Sequence, residues 1–351
     1  MAGELGKISR DFFDTHVLGR IGSSRQEIIV PPRNGVDTGI ISLGDGRVMA
    51  MTTDPIFIDI NLGIERAAWF AFHIIASDLC TSGIRPQYLT VDYNLPPEIT
   101  DQQIDDMLSV IDRECRSYGI GIVTGHTARY AGVNFPMVGG ATMMGIGDKE
   151  NYVTSAMSRI GDRIVVTKSL ALEASVLLAH AFPEFIARNC GNDTLSRLRN
   201  RFHEMSTVRE SMMAIDFGLR EKGITSMHDV TEGGLISALF EIAEASGNGL
   251  SVDGDILPIY PEISSLCDVF HINPLMSISE GTLLMTIAPG RSGEFVGKLN
   301  ENGIPAVEIG EVQEKGKGSV IRYSDGREIR IQSHRDEFWD AIANGIKSGI
   351  K

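Results

Sequence analysis

Residues 64–83, IERAAWFAFHIIASDLCTSG, set the tightest constraint on the fold, because apolar side chains occupy nearly every face of the helix they would form. Gly83 is placed to close that helix. A helix of this kind cannot lie on a surface and must be wrapped by the chain around it. It is not a membrane span: the longest apolar run, 67–76, is broken by His73 and reaches about half the ~20 residues a span needs. The neighbouring segments supply a wrapping sheet. RVMAMTTDP (47–55) reads as a short apolar strand ending in hydroxyls and a carboxylate, and PQYLTVDYNL (86–95) alternates like a strand. Thr100 and Gln103 form a capping box that opens an amphipathic helix running to Gly119. IGIVTGH (120–126) and PMVGGATMMGIG (136–147) complete the sheet. Hairpin-like and crossover links are mixed, which predicts an α+β fold rather than a doubly wound one.

At 351 residues the chain exceeds one ordinary core, and two domains are expected. The polar stretch DKENYVTSAMSRIGD (148–162) leads into a new strand, RIVVT (163–167), and places the division at 1–155 and 156–351. The second half carries its own series. Helices are expected at about 170–181, from a Thr207/Glu210 capping box to Gly223, from MHDVTEGGL onward, and near 291–302. Strands are expected near 282–288 and 306–331, with a closing helix over 335–347. A hydrophobic content of 42% with 22% charged residues is that of an ordinary globular protein. The net charge of −14 argues against nucleic acid as a partner. Cys80, Cys115, Cys190 and Cys267 are widely spaced and read as buried thiols rather than a disulfide or zinc framework. With no signal-peptide core in MAGELGKISRD, a cytoplasmic location is expected.

The common nucleotide and hydrolase signatures are missing: no P-loop, no strand followed by G-x-G-x-x-G, no H-E-x-x-H and no G-x-S-x-G occurs. What remains is a set of carboxylates at junctions between elements. Asp37 lies in GVDTGII before a short strand, Asp54 ends a strand, Asp78 sits in the last turns of the apolar helix, and Asp229 precedes a helix start. Hard oxygen ligands converging from separate segments suit Mg²⁺, whereas any one such Asp could equally be a cap or a solvated charge. Asp78 stands out because a carboxylate in so apolar a helix needs a partner. In DVTEGGL, Thr231 can cap a helix while Gly233 and Gly234 either permit a tight start or let backbone N–H groups meet an anion. VTGHTAR (123–129) has a similar logic, with a strand expected to end at Thr124-Gly125 and His126 and Thr127 presented where the chain turns.

TTDP (52–55), SDLCTSGIRP (77–86), VTGHT (123–127) and DVTEGGL (229–235), in that order, resemble the aminoimidazole ribonucleotide synthetase superfamily. The resemblance spans about residues 30–330 and is closest to the hydrogenase-maturation branch, through HDVTEGGLISALFEIAEASGNGLSVD and INPLMSISEGTLLMTIAP. It implies an N-terminal α+β domain that dimerises by pairing sheets into a shared β-barrel, and a C-terminal α/β domain. It implies ATP held with Mg²⁺ in a cleft near the dimer interface. Carried over by position, Asp37, Asp54, Asp78 and Asp229 would be metal or phosphate ligands. Thr53 and Thr127 would support them, and the stretches around Gly125-His126 and Thr231, Gly233 and Gly234 would line the nucleotide cleft.

The implied chemistry is phosphorylation of a carbonyl or amide oxygen of a small substrate by ATP, in a homodimer that could also serve a maturation partner. The alternative is a nucleotide-binding maturation or regulatory protein without turnover. Two departures favour that alternative: Val36-Asp37 stands where the family pairs aspartates, and Ser77-Asp78 stands where it has Asn-Asp. The chain ends NGIKSGIK with no cysteine after Cys267, so the thiocarboxamide reaction of the hydrogenase-maturation enzyme is not expected. RIGSSRQEI (20–28) is the nearest counterpart to the family's N-terminal loop, and Lys168 and Arg129 read as solvated or phosphate-contacting cations.

Overall fold

The computed structural model describes residues 6–350. They divide into two compact units: residues 26–31 with 37–152, and residues 6–25 and 32–36 with 153–350. The division does not follow chain order, because the first described residues belong with the second half.

Helix α1 (Arg10–Phe12) begins a run of helical turns over 10–20 in that second-half unit. The sheet-first unit then follows as β1 (Ile28–Val30), β2 (Gly39–Gly44), β3 (Arg47–Asp54), β4 (Phe57–Ile58), α2 (Ile64–Thr81), β5 (Tyr88–Leu95), α3 (Asp101–Tyr118), β6 (Gly121–Arg129), β7 (Met137–Val138) and β8 (Gly140–Asp148). Six strands form one sheet in the order β1-β2-β3-β8-β5-β6, all neighbours antiparallel except β5 and β6. Helix α2 is buried along most of its length, as its composition requires, with Phe72, Ile75 and Leu79 at 1% exposure or less. It packs on β3, β8 and α3, so one face of the sheet alternates into this core through Val48, Ala50, Leu89 and Met143. The capping box of α3 forms as expected, with Thr100 and Gln103 satisfying each other's backbone N–H.

The other unit holds β9 (Arg163–Thr167), α4 (Leu172–Ala181), α5 (Pro183–Cys190), α6 (Asn192–Asn200), α7 (Val208–Phe217), β10 (Ile224–Asp229), α8 (Gly234–Ser246), β11 (Gly249–Asp253), α9 (Pro261–Phe270), β12 (Leu283–Ile287), α10 (Ser292–Glu301), β13 (Ala306–Gln313), β14 (Ser319–Arg322), β15 (Glu328–Arg330) and α11 (Phe338–Lys347). Its seven-stranded sheet runs β10-β12-β9-β13-β11-β14-β15 and is antiparallel except between β11 and β14. Both faces are covered. Ile164, Val166 and Leu284 join the cluster under α8, while Val165, Met285 and Ile287 join the cluster that includes Phe295 and Leu299 of α10. This two-sided burial explains why RIVVT and LLMTI are continuous apolar runs.

Three local expectations are corrected. The Thr207/Glu210 box does not form: α7 has no side-chain cap, and Val208 N–H donates instead to Ser206 Oγ at 3.3 Å. Glu210 is drawn into the core by Lys168, which is buried rather than solvated and lies 2.6 Å from it. The strand through VTGH does not turn at Gly125 but continues as β6 to Arg129, where the guanidinium meets Asp101 at 2.5 Å. None of the helices among the described residues is long and apolar enough to cross a membrane.

Candidate functional site

In the sheet-first unit, three of the four singled-out aspartates lie where β2, β3 and α2 meet their loops. Asp54 closes β3, opposite Ala141 of β8. Strand alternation puts Thr52 and Asp54 on the helix-facing side and Thr53 on the other. The hydroxyl that reaches α2 is therefore that of Thr52, whose Oγ1 donates to Asp78 Oδ2 at 3.1 Å. Thr53 Oγ1 bonds across the sheet to Thr142 Oγ1 at 2.9 Å. One turn beyond Asp78, Thr81 Oγ1 donates to the Asp78 carbonyl at 2.7 Å and lies 3.5 Å from Asp37 Oδ2. Thr81 thus links the end of α2 to the residue just ahead of β2, and Asp37 and Asp78, 41 residues apart in sequence, share one hydroxyl-lined corner. Both are half-buried. Two carboxylates with threonine oxygens are a hard donor set of the type a Mg²⁺ ion takes.

Thr52 and Thr81 were not singled out from sequence. The available signals were the two-residue strand period from Asp54 and the three-residue helix period from Asp78. Gly125 has a structural reason to be glycine: a Cβ there would stand 2.6 Å from the Val91 carbonyl oxygen of the paired strand. His126 Nε2 bonds Tyr130 Oη at 2.7 Å, and His126 and Thr127 are both exposed along β6.

In the second-half unit Asp229 ends β10 with 1% exposure, and the TEGG turn follows. Gly233 and Gly234 have φ of +83° and +63°, and a Cβ on Gly234 would sit 2.7 Å from the Leu275 carbonyl oxygen. Thr231 does not cap α8 as expected: the N-cap is Gly233, with no side-chain hydrogen bond, and the Thr231 carbonyl accepts from Gly234 N–H at 3.0 Å in the turn that leads in. Gly233 N–H donates at 2.6 Å to Asp336 Oδ2, so the helix mouth already holds a carboxylate of the same chain. Burial pushes Asp336 up to about 6 against the opposing pull of the Gly233 and Phe338 N–H groups. Glu232 accepts from Lys7 N–H at 2.9 Å and from Trp339 Nε1 at 3.1 Å, which ties both ends of the described chain to this turn. Ahead of the turn, His228 Nε2 lies 2.7 Å from Glu241 Oε2 of α8 and its Nδ1 lies 3.8 Å from Asp229 Oδ1.

Fold and chemistry together define a two-domain α+β protein with oxygen donors gathered at strand and helix ends. The sequence models of the N-terminal and C-terminal domains of AIR synthase related proteins match residues 35–147 and 159–322, and the chain belongs to that family. A protein of Methanocaldococcus jannaschii named for hydrogenase expression/formation is 25% identical over 337 residues, 94% of this chain and 95% of that one. Carbamoyl dehydratase HypE of Bradyrhizobium diazoefficiens is 24% identical over 295 residues, 79% of this chain and 78% of that one. The crystal structure of the hydrogenase maturation protein HypE in complex with ATP superposes with a TM-score of 0.66 at 20% identity, covering 95% of this chain and 93% of that one.

Proposed function

We propose that the chain is a Mg-ATP-dependent enzyme that activates a carbonyl or amide oxygen of a small substrate by phosphorylation. The observation that carries this reading is the corner in which Thr52 orients Asp78 and Thr81 joins it to Asp37. Family membership and likeness to a carbamoyl dehydratase support it. Asp37, Asp54 and Asp78 would hold Mg²⁺ on one unit and Asp229 on the other, with Thr53, Gly125, His126, Thr127, Thr231, Gly233 and Gly234 as the residues nearest the nucleotide. Bound there, Mg²⁺ supplies neutralisation of the γ-phosphate and alignment with the acceptor. The acceptor oxygen attacks the γ-phosphorus, ADP departs, and the oxygen later leaves as phosphate when nitrogen attacks or a proton is eliminated. The working form is a homodimer, and likeness to a hydrogenase expression/formation protein supports a maturation partner.

The test is a melting series with Mg²⁺ and ATP on the purified chain, followed by phosphate release with small amide substrates. Ligand at ~100 times its dissociation constant should add roughly 2.7 kcal/mol. Asp78→Asn should abolish that gain at little cost to the ligand-free melt. A wild-type protein whose melting ignores Mg-ATP would overturn the proposal. The second reading, a nucleotide binder without turnover, is favoured by Ser77, which is fully buried next to Asp78. A nucleotide-dependent melting shift without phosphate release on any amide would select it.

A further inference from the structure

We propose that Glu232 is a positioning residue for the nucleotide: the two ends of the described chain clasp its carboxylate, and the clasp holds the TEGG turn (231–234) in the shape that meets the phosphates. The inference rests on the reading of Thr231, Gly233 and Gly234 as residues nearest the nucleotide, and it adds the side chain that sets their backbone.

Glu232 is half-buried between the two arms of the clasp. From the N-terminal side, Lys7 N–H donates to both of its oxygens, at 2.9 Å to Oε1 and 3.1 Å to Oε2. From the C-terminal side, Trp339 Nε1 donates to Oε1 at 3.1 Å. Gly6 lets the arms approach each other: it has φ +100°, and a Cβ on it would collide with Glu232 Oε1 and stand 2.8 Å from Trp339 Nε1. The two donors lie 225 and 107 residues away in sequence, so nothing local to the turn marks the contact.

Each arm has its own anchor besides Glu232. Arg10 pairs with Glu244 of α8 and lies over the Phe240 ring at 5.3 Å, which lays the N-terminal segment along that helix. On the other arm Asp336 takes Gly233 N–H at 2.6 Å and Phe338 N–H at 2.8 Å, and Glu337 Oε2 takes Asn273 N–H at 2.5 Å. The turn needs such support, because Gly233 and Gly234 both have positive φ and α8 begins without a side-chain cap. A mobile turn loses conformational freedom when a ligand binds, and a turn fixed in advance has little left to lose. The clasp also deals with charge. A carboxylate in a turn that meets a triphosphate repels it; the Lys7 and Trp339 N–H groups, with the Lys7 ammonium 3.4 Å from Thr231 Oγ1, offset that repulsion. The competing account is a clasp that fastens the chain ends and has no bearing on a ligand.

The experiment makes two measurements on the full chain: amide hydrogen exchange of residues 229–236 without ligand, and calorimetric titration with Mg²⁺ and ATP well below the melting temperature. Glu232→Ala and Trp339→Phe should each speed exchange in the turn at least about fivefold. Each should also weaken Mg-ATP binding at least about fivefold. Glu232→Gln keeps an oxygen for the Lys7 and Trp339 donors, so it should restore wild-type exchange and affinity. Unchanged exchange in the first two variants, or faster exchange with wild-type affinity, overturns the inference. So does a Glu232→Gln protein no better than Glu232→Ala. All three outcomes leave the proposed function standing. A wild type that ignores Mg-ATP while the exchange differences hold removes the proposed function and this role with it, leaving a clasp of the competing kind.

Discussion

Two buried charges show what single side chains contribute. Glu173, in the first turn of α4, accepts the Glu280 N–H at 3.0 Å, and burial pushes its carboxyl up to about 8, helped by the neighbouring Asp336, Glu232 and Asp229. The folded state therefore keeps a proton that the unfolded chain releases near 4.5. Stability falls as pH rises between those values, at about 1.4 kcal/mol per pKa unit at most. Glu173→Gln, which preserves the acceptor, should match the wild type near pH 5 and exceed it by up to a few kcal/mol at pH 8 in urea unfolding. Parallel curves for the two proteins would contradict the assignment. Lys168 presents the opposite case. Its ammonium pairs with Glu210 at 2.6 Å and donates to the Gly281 and Ser206 carbonyls at 2.8 and 2.6 Å. Lys168→Met strands a buried carboxylate and should cost about 3–5 kcal/mol, much of it recovered by adding Glu210→Leu. Sequence could not place this lysine, because its partner lies 42 residues away and nothing local marks either group as buried.

Elements were legible where local chemistry decides them. The apolar wheel of α2, the two-residue period of β5 and the Thr100 cap all depend on neighbours within four residues, and the structure keeps each one. The Thr207 cap failed for the same reason in reverse: Glu210 had a stronger distant partner, and tertiary pairing overrode the local motif. β6 ran past Gly125 because eight residues of β5 offered it a parallel ladder, which no window within β6 could reveal. The glycines of the TEGG turn were correctly seen as constrained, yet the contact that constrains them is an Asp336 carboxylate and the 275–277 backbone. Gly234→Ala should therefore destabilise the fold whether or not any ligand binds there. With φ at +63° and backbone atoms within 2.9 Å of the new methyl, a loss of about 2–4 kcal/mol is expected in denaturant unfolding. A loss below about 0.5 kcal/mol would mean that the turn relaxes freely.

At the scale of the whole molecule, the open question is how the six-stranded sheet finishes itself. Its last strand, β6, has β5 as its one neighbour among the described residues and is exposed along almost all of its nine residues. Ile122 and Val123 are 48% and 63% exposed there, and Tyr88 on the adjacent strand is 40% exposed. An exposed edge strand is a template for another strand, and proteins ordinarily shield such edges with charge, proline or a bulge. Between Ile122 and Thr127 β6 carries no proline and no Asp, Glu, Lys or Arg, and its one register shift against β5 sets Val123 apart as an extra residue. The simplest complement is the same strand of a second copy, since an antiparallel self-pairing satisfies both edges by two-fold symmetry. Light scattering should accordingly return a mass twice the 38.2 kDa of the chain. Val123→Asp places a charge on the edge at a position too exposed to matter within one copy, so it should leave the circular dichroism spectrum intact while shifting the mass to that of a single chain. If the wild type already runs as a single chain, or the variant stays paired, the edge is not where two copies meet.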